Sequence, residues 1–245
     1  MNHAPIRILL ADDQDDVRSG FRLVLDSQPD MTVAGEAADG ATALELARSL
    51  RPDVVLADIR MPRLDGLELT RRLAGPDALH PTRVIVVTTF DLDEYVHTAL
   101  HHGASGFLLK RSGPNLLIEG VRAAMAGDAL ISPQITVRLL LRLTTAPSLP
   151  ATASPPAEAR AADPLTDRER QIVRLIARGH TNARIAAELF ISPGTAKTHI
   201  ANIQTKLKTA NRVGIAAWAW KRGWPPRSRE PACGPVKAFR RPATG

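Results

Sequence analysis

Ile6-Arg7-Ile8-Leu9-Leu10-Ala11-Asp12-Asp13 is a nearly unbroken apolar run that ends on two carboxylates. A strand with one face in water alternates apolar and polar residues, whereas a strand covered on both faces does not. The run therefore reads as a central strand of a parallel sheet, with its acids at the carboxyl end. Outward from it, comparable short apolar runs recur at Met31–Ala34, Val54–Ala57, Val84–Val87 and Gly106–Leu109. Helical periodicity fills the gaps between them. Asp15–Ser27 sets Val17, Phe21, Val24 and Leu25 on one stripe, and Ala41–Leu50 does the same with Ala43, Leu44, Ala47 and Leu50. Further helices are predicted at Asp65–Ala74, Leu92–His102 and Pro114–Ala126. Successive strand–helix units predict an α/β fold over residues 5–127, a doubly wound five-stranded parallel sheet with helices on both faces.

Beyond this unit the composition changes. Residues 128–162 read as a linker, with a helix predicted at 133–143 and then a stretch of Ala, Pro, Ser and Thr that cannot build a core. Residues 163–224 are helical in pattern and predict a small all-α four-helix domain, and the basic, Pro-rich residues 225–245 read as a disordered tail. The charge follows the same division. The formal net charge of +7 hides 13 Lys and Arg against 18 Asp and Glu in residues 1–127, and 11 against 4 in residues 163–224. An acidic first half and a basic second half imply two tasks, the second facing a polyanion. No apolar run reaches the length of a membrane span, and the N-terminus lacks the features of a signal peptide. The single cysteine, Cys233, excludes an internal disulfide, and a cytoplasmic location without membrane partners is the expectation.

Ligands of open parallel sheets bind beyond the carboxyl ends of the strands. Polar residues gather there: Asp12 and Asp13 after the first strand, Asp58 after the third, Thr88 at the fourth and Lys110 after the fifth. Carboxylates converging on one point repel unless a cation sits among them, and a partial set of hard oxygen ligands suits Mg²⁺. A carboxylate so placed can attack phosphorus, with a lysine and a hydroxyl offsetting charge on the transferring oxygens. Acids after strands also serve simply as helix N-caps, a role open to Asp15 and Asp65.

Leu9-Leu10-Ala11-Asp12-Asp13, Asp58-Ile59-Arg60-Met61-Pro62-Arg63-Leu64-Asp65-Gly66, Val87-Thr88-Thr89-Phe90 and Gly103-Ala104-Ser105-Gly106-Phe107-Leu108-Leu109-Lys110 resemble, in order, the motifs of bacterial receiver domains. The resemblance implies a flavodoxin-like strand order and Asp58 as acceptor of a phosphoryl group from a sensor histidine kinase. It implies Mg²⁺ held by Asp12, Asp13, Asp58 and the backbone carbonyl of Arg60. It further implies Thr88 and Lys110 on the phosphoryl oxygens and Phe107 as the switch aromatic. Arg111 departs from the pattern, since many receivers have proline there.

In the helical region Thr166-Asp167-Arg168-Glu169 is a capping box, Gly179 marks a stop, Asn182–Leu189 forms a short helix, and Ser192-Pro193 reads as an N-cap followed by proline at the first helical position. In the helix that follows, Ala196, Ile200, Ile203 and Leu207 fall on one stripe. Thr195, Thr198, Ala201, Asn202 and Thr205 lie away from it, with Lys197, Lys206 and Lys208 near, a face suited to base edges and phosphates in a major groove. A last helix is predicted at Arg212–Lys221, with Ala216, Trp218 or Trp220 available for a dimer contact. Leu165-Thr166-Asp167-Arg168-Glu169-Arg170 and Ile191-Ser192-Pro193-Gly194-Thr195-Ala196-Lys197-Thr198-His199-Ile200 are similar to the LuxR-type helix-turn-helix. Receiver plus LuxR-type domain is the architecture of the NarL/FixJ class of two-component response regulators. That resemblance implies phosphorylation-controlled binding of promoter DNA, with homodimers when phosphorylated. Arg184, Ala196 and Lys208 depart from the common pattern, the last standing where glycine is usual. Two other readings remain open: a Mg²⁺-dependent phosphohydrolase, and a regulator acting on a protein partner without DNA. His97, His101 and His102 read as a solvated helix face for want of a third ligand.

Overall fold

The structure is a computed structural model and describes residues 4–75, 78, 82–89, 93–133, 135, 164–222 and 224. The N-terminal half is a parallel sheet of β1 (Ile6–Ala11), β2 (Met31–Ala37), β3 (Val54–Ala57), β4 (Arg83–Thr88), β5 (Gly106–Leu109) and β6 (Leu130–Ile131) in the order β2-β1-β3-β4-β5-β6. Five helices alternate with the strands: α1 (Asp15–Asp26), α2 (Gly40–Leu50), α3 (Gly66–Ala74), α4 (Asp93–His101) and α5 (Pro114–Ala126). The first five strands have the expected architecture and order. β6 is an addition: after α5 stops at Gly127, whose φ of +81° suits glycine, the chain turns back and pairs Leu130 and Ile131 with Gly106 and Phe107. Of the helix expected at 133–143, Pro133 and Ile135 are helical and the remainder lies outside the described residues, as do 144–162 and the tail at 225–245 with Cys233.

Period-two alternation splits the core. Ile8, Leu10, Val54, Leu56, Ile85, Val87 and Leu108 face α1 and α5, where Leu25, Leu117, Ile118 and Val121 meet them. Leu9, Ala11, Val55, Ala57 and Val84 face α2 and α3. Val86, Phe107 and Leu109 pack with Val96 and Ala99 of α4. Burying each large aliphatic side chain stabilises the fold by about 1.5–3 kcal/mol. The helices start where their caps dictate: Asp39 accepts from the Thr42 amide at 2.9 Å, and Asp65 from the Glu68 amide at 2.8 Å. Asp15 is no cap. The N-cap position is Gln14, and Asp15 opens the helix and pairs with Arg18.

The C-terminal helices are α6 (Asp167–Ala177), α7 (Asn182–Leu189), α8 (Pro193–Leu207) and α9 (Arg212–Lys221). Ile172, Val173, Ile176, Ile185, Ala196, Ile200, Ile203 and Ile215 form their shared core. α8 starts at Ser192, which accepts from the Thr195 amide at 3.0 Å, and ends at Lys208 with φ +52°. α6 starts at the capping box, where the Thr166 amide donates to Glu169 at 2.7 Å and the Glu169 amide to the Thr166 hydroxyl at 3.3 Å. Glu169 is buried and also receives Lys206 Nζ at 2.7 Å. Burial opposes its charge, but Lys206 and Thr166 prevail and hold the carboxyl below its ordinary value of 4.5. A depressed carboxyl contributes stability above its unfolded value that is lost as pH falls through the folded one. Glu169→Ala should therefore cost about 2 kcal/mol at neutral pH. In acid melts the variant should converge with wild type below pH 4.5; parallel curves would refute the assignment.

Candidate functional site

Three strand ends bring the acidic site together. Asp12 follows β1, with its amide on the Ala37 carbonyl at 3.1 Å and its Oδ1 accepting from the Gln14 amide at 3.0 Å. Asp58 follows β3; its amide donates to the Ala11 carbonyl at 2.8 Å, and the Ile59 amide donates to its Oδ1 at 2.6 Å. The loop from Asp58 folds back so tightly that a Cβ on Gly66 would sit 1.9 Å from the Asp58 carbonyl oxygen, which is why α3 opens on glycine. Lys110, after β5, reaches across with Nζ 2.7 Å from Asp12 Oδ2 and 2.8 Å from Asp58 Oδ2. Asp12 and Asp58 are 3% and 4% exposed, so water screens this trio little.

Asp13 completes the cluster from the solvent side. Oxygens of Asp12, Asp13 and Asp58 lie within 4.8 Å of one another. Burial pushes the Asp12 carboxyl up, against the pull of Lys110 and the Gln14 amide. Burial also works against the Lys110 charge, but its two carboxylate partners hold the ammonium above its ordinary range. One cation thus serves two buried anions with a third beside them, a deficit that a divalent cation would relieve. Thr88 is fully buried at the end of β4, in register with Leu109. Phe107 is fully buried between α4 and Ile135. Arg60 stands two residues beyond Asp58, its guanidinium 3.4 Å from the Tyr95 hydroxyl. His102 Nδ1 donates to the Leu67 carbonyl, 2.9 Å away, and no histidine joins a metal-ligand cluster among the described residues.

The second candidate surface is α8. Ala196, Ile200 and Ile203 are buried, while Thr195, Lys197, Thr198, Ala201, Asn202, Thr205, Lys206 and Lys208 are all exposed. Lys206 turns back to Glu169, and Lys208 lies in the left-handed cap after the helix. The left-handed backbone accounts for the glycine usual at that position.

Sequence reasoning missed a set of contacts between the two halves. Lys197 Nζ donates to the Met125 carbonyl at 3.1 Å. The Asn182 side chain donates to the Ala126 carbonyl at 2.8 Å and its amide to Asp128 at 3.2 Å. Arg212 pairs with Asp128 and donates to the Asn182 side chain at 2.9 Å. Asn211 donates to the Leu100 and Ala104 carbonyls at 2.8 and 3.0 Å. Ala201 and Gln204 of α8 line the cleft between the halves, opposite Arg83 and Ser105. The partners across the two halves lie 54 to 111 residues apart, and the Arg212–Asn182 bond, at 30, lies within the second half, so no local pattern announces them.

Comparisons with known proteins match each half of the chain to a family. The family described as response regulator receiver domain matches residues 8–122, and that described as bacterial regulatory proteins, luxR family, matches residues 163–219. The chain is 39% identical over 223 residues to the uncharacterized transcriptional regulatory protein YxjL of Bacillus subtilis (strain 168), covering 91% of this chain and 99% of that one. It is 38% identical over 217 residues to the nitrate/nitrite response regulator protein NarL of Escherichia coli (strain K12), covering 89% and 96%. A crystal structure of a two-component response regulator of the LuxR family from Aurantimonas sp. SI85-9A1 is similar with 32% identity and a TM-score of 0.54, covering 58% of this chain and 99% of that one.

Proposed function

This chain belongs to the NarL/LuxR-type family of two-component response regulators, and from that premise we propose that Asp58 is its phosphoacceptor and α8 its DNA-reading helix. It is a transcription regulator with a LuxR-type DNA-binding domain rather than a turnover enzyme. The observation that carries the proposal is Lys110 Nζ within 2.8 Å of carboxylates from two different strand ends.

The donor set of Asp12, Asp13 and Asp58 fits Mg²⁺: hard oxygens, close together, one side open to solvent. With the Arg60 carbonyl these residues would hold the ion, and bound there it would offset charge on the transferring oxygens. A carboxylate oxygen of Asp58 attacks the phosphorus of a kinase phosphohistidine. The P–N bond breaks, and the imidazole nitrogen keeps the electron pair and takes up a proton. Lys110 neutralises one phosphoryl oxygen, and the Thr88 hydroxyl donates to another. Phe107 responds on the α4 side of the sheet.

In the arrangement described, α8 is turned against the first domain through Lys197, so DNA cannot reach its whole face. Phosphorylation adds charge at Asp58 and shifts the balance toward an open form or a homodimer, presenting two α8 helices to paired half-sites of a promoter in the cytoplasm. Gel shifts on genomic promoter fragments test this with the full chain, Mg²⁺ and a small phosphodonor. Affinity should rise at least about tenfold on phosphorylation, some 1.4 kcal/mol. Equal affinity with and without the phosphoryl group would sink the proposal.

A further inference from the structure

β6 makes its ladder bonds to β5, the strand that carries the switch aromatic and leads directly into the site lysine. The next residue, Ser132, is fully buried. Its amide donates to the Phe107 carbonyl at 2.9 Å, and its hydroxyl accepts from the Leu109 amide at 3.1 Å and shares a hydrogen bond with the Ser112 hydroxyl at 2.9 Å. Leu109 and Ser112 bracket Lys110. Ile135, 1% exposed, packs in the cluster that contains Phe107 and Ile59, the residue directly after Asp58. A two-residue parallel strand has too few ladder bonds to hold its place alone. A buried hydroxyl is costly unless bonded, and this one supplies the bond that the short ladder lacks. On the other side of β6, Asp128 lies between Gly127, which ends α5, and Leu130, and it receives Arg212 and the Asn182 amide from the DNA-binding domain.

We propose that Ser132 is a positioning residue for the response: it clamps the start of the interdomain connector to β5, and phosphorylation of Asp58 loosens the clamp. The proposal rests on Asp58 being the phosphoacceptor. When Lys110 exchanges Asp12 for a phosphoryl oxygen, the residues on either side of it, Leu109 and Ser112, shift together, and both are bonded to the one Ser132 hydroxyl. Once β6 lets go, Asp128 loses one of its two anchors and the docked domain loses its hold. From Ser132 the path follows the backbone of β6 to Asp128, then Arg212 of α9 and Asn182 of α7, helices that share one core with α8.

Amide exchange and DNA affinity measured on the full chain, with and without a small phosphodonor and Mg²⁺, test the clamp. In wild type, phosphorylation should speed exchange at the Leu109 and Ser132 amides about tenfold. Ser132→Ala should exchange fast without phosphorylation, still take up the phosphoryl group by intact mass, and keep less than about a third of the wild-type gain in DNA affinity. Ile135→Val trims a single methyl from the same clamp and should show both effects at lower amplitude, which covers the case in which Ser132→Ala fails to fold. Wild type that is phosphorylated without any change in DNA affinity would defeat the functional reading itself. Wild type that responds while these amides stay equally protected, or variants with the wild-type gain, would overturn the clamp alone.

Discussion

Asp58→Asn takes up no phosphoryl group from a small phosphodonor with Mg²⁺, a loss of at least about a thousandfold in rate, or ~4 kcal/mol of barrier. The substitution keeps shape and volume and replaces an anionic oxygen nucleophile with a neutral amide. Among the described residues the two neighbouring carboxylates cannot substitute. Asp12 is tied by its Oδ1 to the Gln14 amide and by its Oδ2 to Lys110, and Asp13 lies on the exposed rim. The same variant should be as stable as wild type, or more so. Three carboxylates share one ammonium in the wild-type site, so deleting one anion relieves repulsion and leaves Lys110 its 2.7 Å contact with Asp12. Intact mass reads the first effect and thermal melting without Mg²⁺ the second. A modified Asp58→Asn chain would move the acceptor elsewhere. A variant that loses several kcal/mol would instead make Asp58 a structural anion whose worth lies in holding Lys110.

Much of the fold was legible because its signals are local. The unalternated run Ile6–Ala11 is β1 to the residue, and Val54–Ala57 and Gly106–Leu109 coincide with β3 and β5. Thr166 and Ser192 cap the helices that their side chains announced. β2 runs on to Ala37, past a register shift between Ile8 and Leu9 on its neighbour, because pairing with β1 rather than propensity sets where it ends. β6 escaped because two residues carry no period; the free edge of β5 makes them a strand. The acidic site was legible for a different reason. Strand ends of a parallel sheet lie along one edge, so residues at those ends must meet, as Asp12, Asp58 and Lys110 do. The turning of Lys206 to Glu169 was not legible, since its face on α8 depends on where α6 packs. The docking of Lys197 and Arg212 on the first domain was likewise invisible, because it is a property of two folded surfaces and not of either pattern.

That docking makes the second large effect an expected gain of function. Asp128→Ala should raise the DNA affinity of the unphosphorylated chain by about 10- to 100-fold, or ~1.4–2.8 kcal/mol. Asp128 is the receiver-side anchor of the contact, paired with Arg212 where the two side chains are 19% and 11% exposed. Burial lowers the Arg212 pKa and the Asp128 charge opposes that fall, so without Asp128 the docked form holds a desolvated cation with no counter-charge. In the open form water replaces the lost partner, so the whole penalty falls on the docked form and shifts the equilibrium away from it. The penalty stays below that of a fully buried broken pair because Arg212 retains the Asn182 side chain at 2.9 Å and the His180 carbonyl. Asp128 is remote from Asp58 in the chain and belongs to neither the acidic cluster nor α8, so uptake of a phosphoryl group should be unchanged. Arg212→Ala added to Asp128→Ala should take back part of that gain, since it removes the unpaired cation that penalises the docked form. An unphosphorylated Asp128→Ala chain that binds DNA within about twofold of wild type, well under the 1.4 kcal/mol of a tenfold change, would show that docking contributes nothing to control, and would leave dimerisation to carry the response.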